Sequence, residues 1–187
     1  MARSRRASSK ASRWDRESLA PTLRVKRLEE RRVLNADAVP VDQLVIDAGS
    51  DGSDGQADTF HIEQDAGYVR VSVNGQEVAN AAIADIGGIT IRGSLDDDIL
   101  LAEFKGGEPL AGLELLFDGG DGGNDALMLT DSAPVDEVNY SFGEGGENRI
   151  QIISADGEAQ ISYRGIESVN DQLAAEERSF QFADEGQ

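Results

Sequence analysis

The sequence predicts an all-β protein, built as a β-solenoid-like stack of short strands, with a β-sandwich as the alternative. Three observations predict this class. From residue 42 onward, apolar and polar residues alternate with a period of two, in runs of about four to seven residues. Gly, Asp and Asn separate these runs, as they do in turns. A ten-residue pattern of turn residues followed by a strand recurs four times.

The first 38 residues differ from the rest in charge. They hold eleven Lys and Arg residues and five acidic residues, a net charge of +6. Residues 39–187 hold six Lys and Arg residues and thirty-one acidic residues, a net charge of −25, which gives −19 for the whole chain. We therefore divide the chain into a basic amino-terminal arm, 1–38, and an acidic all-β domain, 39–187. The arm has few apolar residues to bury and is expected to be largely disordered.

Composition argues against several functional classes. An acidic domain repels nucleic acid, and no apolar run approaches the ~18 residues of a membrane span. Cysteine is absent, which excludes disulfides and thiolate metal sites. No nucleophile-elbow, zinc-protease or phosphate-loop motif occurs, and the sole histidine, His61, alternates with Phe60 and Ile62 and is expected to face solvent. We expect no enzyme, no nucleic-acid partner and no transmembrane segment.

The strands follow from the alternation in each run. In YVRVSV, the side chains of Val69, Val71 and Val73 share one face, and the Asn-Gly pair at 74–75 predicts a hairpin turn. The other predicted apolar faces carry Ile89 and Ile91; Leu113, Leu115 and Phe117; Val138, Tyr140 and Phe142; Ile150 and Ile152; and Ile161 and Tyr163. One weak helix is predicted over NDQLAAEERS, 170–179.

The repeated pattern starts at residues 53, 93, 120 and 143. Each copy begins with a small residue, followed by four residues mainly of Gly, Asp or Glu character. In such turns Gly supplies positive φ, and Asp or Asn bonds nearby backbone N–H groups. The sixth position is Asp or Asn, and the eighth and tenth are apolar or small, which places them on one face of the emerging strand. These positions are Asp58, Asp98, Asp125 and Asn148; Phe60, Leu100, Leu127 and Ile150; and Ile62, Ala102, Leu129 and Ile152.

Residues 120–128 resemble the nonapeptides of the repeats-in-toxin family, the haemolysin-type calcium-binding repeats. They match at Gly120, Gly123, Asp125 and Leu127, although Asp121 replaces the second glycine and the copies lie 23 to 40 residues apart. The resemblance implies a Ca²⁺-binding parallel β-roll. Gly-rich acidic turns offer the carboxylate and carbonyl oxygens that Ca²⁺ prefers. The candidate ligands are Asp96, Asp97, Asp98, Asp118, Asp121, Asn124 and Asp125, and the alternative is that these residues only stabilise turns.

A second resemblance covers more of the chain. RLEERRVLNADA, 27–38, is similar to the amino-terminal segment of planctomycete surface and secreted proteins, and the order of runs over residues 42–169 is similar to their repeat regions. It implies a targeting arm and a structural or adhesive role, secreted or at the cell surface. RSFQFADEGQ, 178–187, resembles the start of a further unit, with Phe180 and Phe182 in the places of Tyr140 and Phe142. We therefore interpret the chain as a truncated array or one whose end a partner covers.

The predicted function is that of a non-enzymatic structural or adhesive repeat module whose turns bind Ca²⁺. Its expected partners are other surface proteins or polysaccharide. The alternative is a cytoplasmic acidic protein-binding module, in which the basic arm serves as an interaction tail.

Overall fold

The computed structural model describes residues 42–48, 55–104 and 110–183, which form thirteen strands and three single-turn 3₁₀ helices. The predicted basic arm, including Trp14, lies outside these ranges. The strands are β1 Asp42–Asp47, β2 Thr59–Asp65, β3 Tyr68–Val73, β4 Gln76–Ala82, β5 Ile86–Arg92, β6 Ile99–Phe104, β7 Glu114–Asp118, β8 Ala126–Asp131, β9 Val135–Phe142, β10 Asn148–Ser154, β11 Gly157–Arg164, β12 Ser168–Asp171 and β13 Ala175–Phe182. The short helices are Ile83–Asp85, Leu110–Gly112 and Glu144–Gly146.

The strands form two sheets. The first sheet has the order β1-β5-β7-β11-β10-β9-β13, and the second has the order β12-β8-β6-β2-β3-β4. The chain passes from the first sheet to the second four times, along β1–β2, β5–β6, β7–β8 and β11–β12. Equivalent strands of these four units are parallel neighbours, so the described parts of the turns between them lie over one another at one end of the molecule.

Antiparallel hairpins complete both sheets. β2, β3 and β4 form one antiparallel set, and β9, β10 and β11 form another. The predicted Asn-Gly turn between β3 and β4 is present, with positive φ at both Asn74 and Gly75. The all-β prediction is therefore confirmed. The structure combines stacked parallel units with antiparallel hairpins, which gives two mixed sheets rather than a uniform solenoid or an antiparallel sandwich.

One core lies between the sheets. All eight residues predicted to point inward from the eighth and tenth repeat positions are fully buried. Aromatic rings meet across the two sheets, because Phe60 of the second sheet lies edge-on to Phe117 of the first at a centroid distance of 6.4 Å. In each repeat the turn lies at the end of the molecule, and the strand that follows it enters the core. The constant spacing between the turn and the apolar residues therefore reflects the number of residues from that end to the core.

Two predictions about the carboxyl-terminal part need correction. The helix predicted over 170–179 is wrong, because this segment contains the end of β12 and most of β13. Pairing with β9 in register outweighs the helical propensity of this short segment. The repeat copy at 143 does form a turn and a strand, but the strand is β10 of an antiparallel hairpin, so Asn148 lies outside the stacked turns.

Candidate functional site: the stacked turns

Carboxylates join the turns at the end of the molecule. The backbone N–H of Asp58 donates to Oδ1 of Asp98 at 2.9 Å, and that of Asp98 donates to Oδ1 of Asp125 at 2.7 Å. The N–H of Asp125 then donates to Oε2 of Glu167 at 2.6 Å. We call these four residues the carboxylate ladder. Each of its bonds ties the last residue of one turn to the side chain of the next.

Backbone bonds accompany the ladder on both sides. Where the turns begin, the N–H of Gly93 donates to the carbonyl of Asp118, and that of Gly119 donates to the carbonyl of Arg164. Where the turns end, the N–H of Ala126 donates to the carbonyl of Asp98 at 2.9 Å. The sheet bonding therefore continues through the turns instead of stopping at the strand ends.

The glycines of the stretch FDGGDGGND, 117–125, allow the backbones of neighbouring turns to approach closely. A Cβ built at Gly119 would overlap the carbonyl oxygen of Gly165, and one built at Gly120 would overlap that of Ser94. At Gly123 the overlap would be with the carbonyl of Asp96. Backbone of one turn thus lies directly on backbone of the next, which a side chain would prevent. The glycine-rich stretch is a stacked turn and not a flexible linker.

The seven predicted calcium ligands have different surroundings. Asp98 and Asp125 are 0 % and 1 % exposed and belong to the carboxylate ladder. Asp96 accepts from the N–H of Gly55 at 3.0 Å, and Asp97 accepts from the N–H of Asn124 at 2.8 Å.

Of the remaining three, Asp118 pairs with Arg164 at 2.6 Å, while Asp121 and Asn124 are exposed. Four of the seven candidate ligands therefore accept backbone N–H groups and one binds a guanidinium. These contacts agree with the alternative that the residues stabilise turns. Calcium binding remains a prediction.

The two central carboxylates differ in how well they are bonded. Oδ2 of Asp98 accepts from the N–H of Ser94 at 2.5 Å, so both of its oxygens have backbone donors. Oδ2 of Asp125 is buried without a hydrogen-bond partner. Burial raises the pKa of Asp125 to about 6, opposed by the bond from the Asp98 N–H and reinforced by the charges of Asp98, Glu167 and Asp97.

This raised pKa predicts a pH-dependent stability. The native carboxyl of Asp125 keeps its proton up to about pH 6, whereas the unfolded carboxyl releases it near 3.8, so its contribution to stability falls as the pH rises through this window. Asp125→Asn keeps an acceptor for the Asp98 N–H and carries no charge. We expect the variant's free energy of unfolding to rise relative to wild type by on the order of 2 kcal/mol between pH 4 and 7. Urea unfolding across this range measures it, and a constant difference would contradict the assignment.

A second polar cluster lies where β9 and β13 of the first sheet meet β12 of the second. The sequence did not predict it. Tyr140 Oη donates to Oδ2 of Asp171 at 2.7 Å, and Arg178 Nε donates to the same oxygen at 2.8 Å. Burial opposes ionisation of Asp171, but the bonds from Arg178 and Tyr140 outweigh it and lower its pKa. The cluster joins β9, β12 and β13. No sequence motif marks it, because Tyr140 lies 31 residues from Asp171 along the chain.

The strand β13 forms one edge of the first sheet and carries exposed aromatic side chains. Phe180 stacks on Tyr140 and Phe182 stacks on Phe142, each at a centroid distance of 4.9 Å. Phe180 is 57 % exposed and Phe182 is 72 % exposed. An open groove lies beside them, lined by Phe142, Phe182, Arg149 and Arg164 among others.

No family model matches the chain, and neither a curated protein nor a solved structure shows significant similarity to it. Within the described residues, no helix is long and apolar enough to cross a membrane.

Proposed function

We propose that this chain is a non-enzymatic structural or adhesive repeat module at the cell surface, which associates through the open edge of β13. The observation that carries the proposal is the register of β13 on β9. The two strands are parallel and place Phe180 beside Tyr140 and Phe182 beside Phe142. The resemblance to planctomycete surface proteins supports the location, and the stacked turns support the architectural role.

The edge of β13 has the features of a surface for strand addition. Within the described residues it pairs with β9 alone, so its other side offers unpaired backbone groups. Phe180 and Phe182 repeat the aromatic pattern of Tyr140 and Phe142 on β9, against which β13 itself packs. Contiguous exposed apolar side chains beside a groove are typical of interaction sites. We assign the edge to a second copy of this chain, because the β13 of that copy offers an edge of the same kind, with the same exposed Phe180 and Phe182 and no second partner strand within the described residues.

Sedimentation velocity of the full chain tests this assembly. We expect association that rises with protein concentration and is lost in Phe180→Ser/Phe182→Ser, since the double variant removes the apolar contact. Each copy carries a net charge of −19, so added salt should strengthen the association by screening repulsion.

Tyr68→Ser and Leu95→Ser serve as controls, because both residues are exposed apolar side chains away from β13. They should leave the association unchanged. A wild-type chain that stays monomeric at ~100 μM, where an interface of even 10⁻⁴ M affinity would be half occupied, would overturn the assembly. So would association that the double variant does not weaken.

Cell fractionation tests the proposed location independently. The proposal expects the chain in the surface fraction or the medium of the organism that makes it, with digestion by protease added to intact cells. Recovery in the cytosol, protected from protease, would favour the alternative of an intracellular acidic binding module.

A further inference from the structure

Three candidate ligands for a metal ion lie together on the outer face of the second sheet. His61 and Glu63 are two residues apart on β2 and so project from the same face, and Glu103 on the neighbouring β6 is the direct partner of Glu63. All three are half-buried, with side chains 28 %, 24 % and 31 % exposed. Within the described residues, no other group of three or more His, Cys, Asp or Glu side chains brings its ligand atoms so close.

The distances suit one small divalent ion. Nε2 of His61 lies 3.1 Å from Oε2 of Glu103, and one ligand atom from each of the three side chains lies within 4.8 Å of the others. A tetrahedral Zn²⁺ with bonds of about 2.0–2.1 Å holds its ligand atoms roughly 3.3 Å apart. The His61–Glu103 pair already has this spacing, and the Glu63 ligand atom, within 4.8 Å of the other two, would have to move closer by a change of side-chain rotamer.

Electrostatics also favours a cation here. Glu63 and Glu103 are directly paired on adjacent strands, where like charges repel. The nearby guanidinium of Arg70 lies 3.7 Å from Glu63 and 3.5 Å from Asp65, so it attracts the first carboxylate away from the centre of the cluster. A divalent ion between Glu63, Glu103 and His61 would offset the repulsion between the two carboxylates.

We propose that His61, Glu63 and Glu103 form a Zn²⁺ site that joins β2 to β6 on the outer face of the second sheet. The mixture of one imidazole and two carboxylates suits Zn²⁺ better than Ca²⁺, which prefers oxygen ligands alone. Three protein ligands leave one coordination position open to water or to a group from another molecule. This site is separate from the stacked turns and from the β13 edge, so the Zn²⁺ proposal is tested independently of the proposed function.

Zn²⁺ titration of the full chain, prepared without a histidine tag, tests the proposal. Calorimetry should show one saturable site per chain. Because His61 is the sole histidine, its imidazole resonances report binding directly in the wild-type protein, and they should shift with the same saturation curve.

Substitutions around the site should change the affinity for Zn²⁺ in different directions. His61→Gln and Glu103→Gln should each weaken binding at least about tenfold, since even indirect supports of a metal site contribute that much. Arg70→Gln should strengthen binding, because it removes the cation that competes for Glu63. Glu114→Gln, which removes an exposed carboxylate from the first sheet, should change nothing.

Two results would overturn the proposal. One is the absence of saturable Zn²⁺ binding together with unmoved imidazole resonances in the wild-type chain. The other is binding of equal affinity in wild type and folded His61→Gln, which would place the ion elsewhere.

Discussion

Replacing Asp98 with alanine is expected to lower the free energy of unfolding by about 4 kcal/mol. The Asp98 carboxylate is fully buried and accepts the backbone N–H groups of Asp58 and Ser94. Its removal leaves two donors without an acceptor in the middle of the stacked turns, and each such donor costs about 1–3 kcal/mol. Urea unfolding of the full chain, followed by circular dichroism, measures the loss.

Asp97→Ala is the matched control. Asp97 precedes Asp98 in the same turn and also accepts one backbone N–H, from Asn124, but it is exposed. Water replaces the lost acceptor there, so the expected cost is under about 1 kcal/mol. Equal losses at both positions would contradict a role that depends on burial in the carboxylate ladder.

Gly119→Ala is expected to cost about 3 kcal/mol for a steric reason. The backbone of Gly119 does not require positive φ, so its conformation accepts a side chain, but the space does not. The added Cβ would overlap the carbonyl oxygen of Gly165 and lie within 2.8 Å of Asp125 side-chain atoms. The two turns would have to separate, which would stretch the bond from the Gly119 N–H to the carbonyl of Arg164.

Gly112→Ala separates this effect from backbone strain. Gly112 has a φ of +82° and open space where its Cβ would be, so an alanine there meets only the conformational cost of about 1–2 kcal/mol. The same unfolding measurement applies to both variants. A smaller loss for Gly119→Ala than for Gly112→Ala would show that the turns are not in backbone contact.

The strands and core could be read from sequence because they depend on local spacing. A period of two places Val69, Val71 and Val73 on one face whatever the strand pairs with. The eighth and tenth repeat positions, such as Phe60 and Ile62, follow a turn by a fixed offset and so enter the core together. His61, between them, was correctly predicted to face away from the core.

What the sequence did not predict depends on contacts between distant segments. Glu167 completes the carboxylate ladder from a turn too short to show the Gly/Asp pattern, although Tyr163-Arg164-Gly165 resembles Ile91-Arg92-Gly93. β13 is a strand because β9 offers it a partner in register. His61 and Glu103 come together through the pairing of strands forty-two residues apart.

Amide hydrogen exchange at the stacked turns tests the central claim most directly. The amides of Asp58, Asp98 and Asp125 donate to carboxylates of the ladder, so they should exchange only on global unfolding, both in chelator and in millimolar Ca²⁺. That result would establish that backbone-to-carboxylate bonds hold the turns together. Rapid exchange in chelator that becomes slow only with Ca²⁺ would contradict the account, because an ion would then hold the turns in place of these bonds.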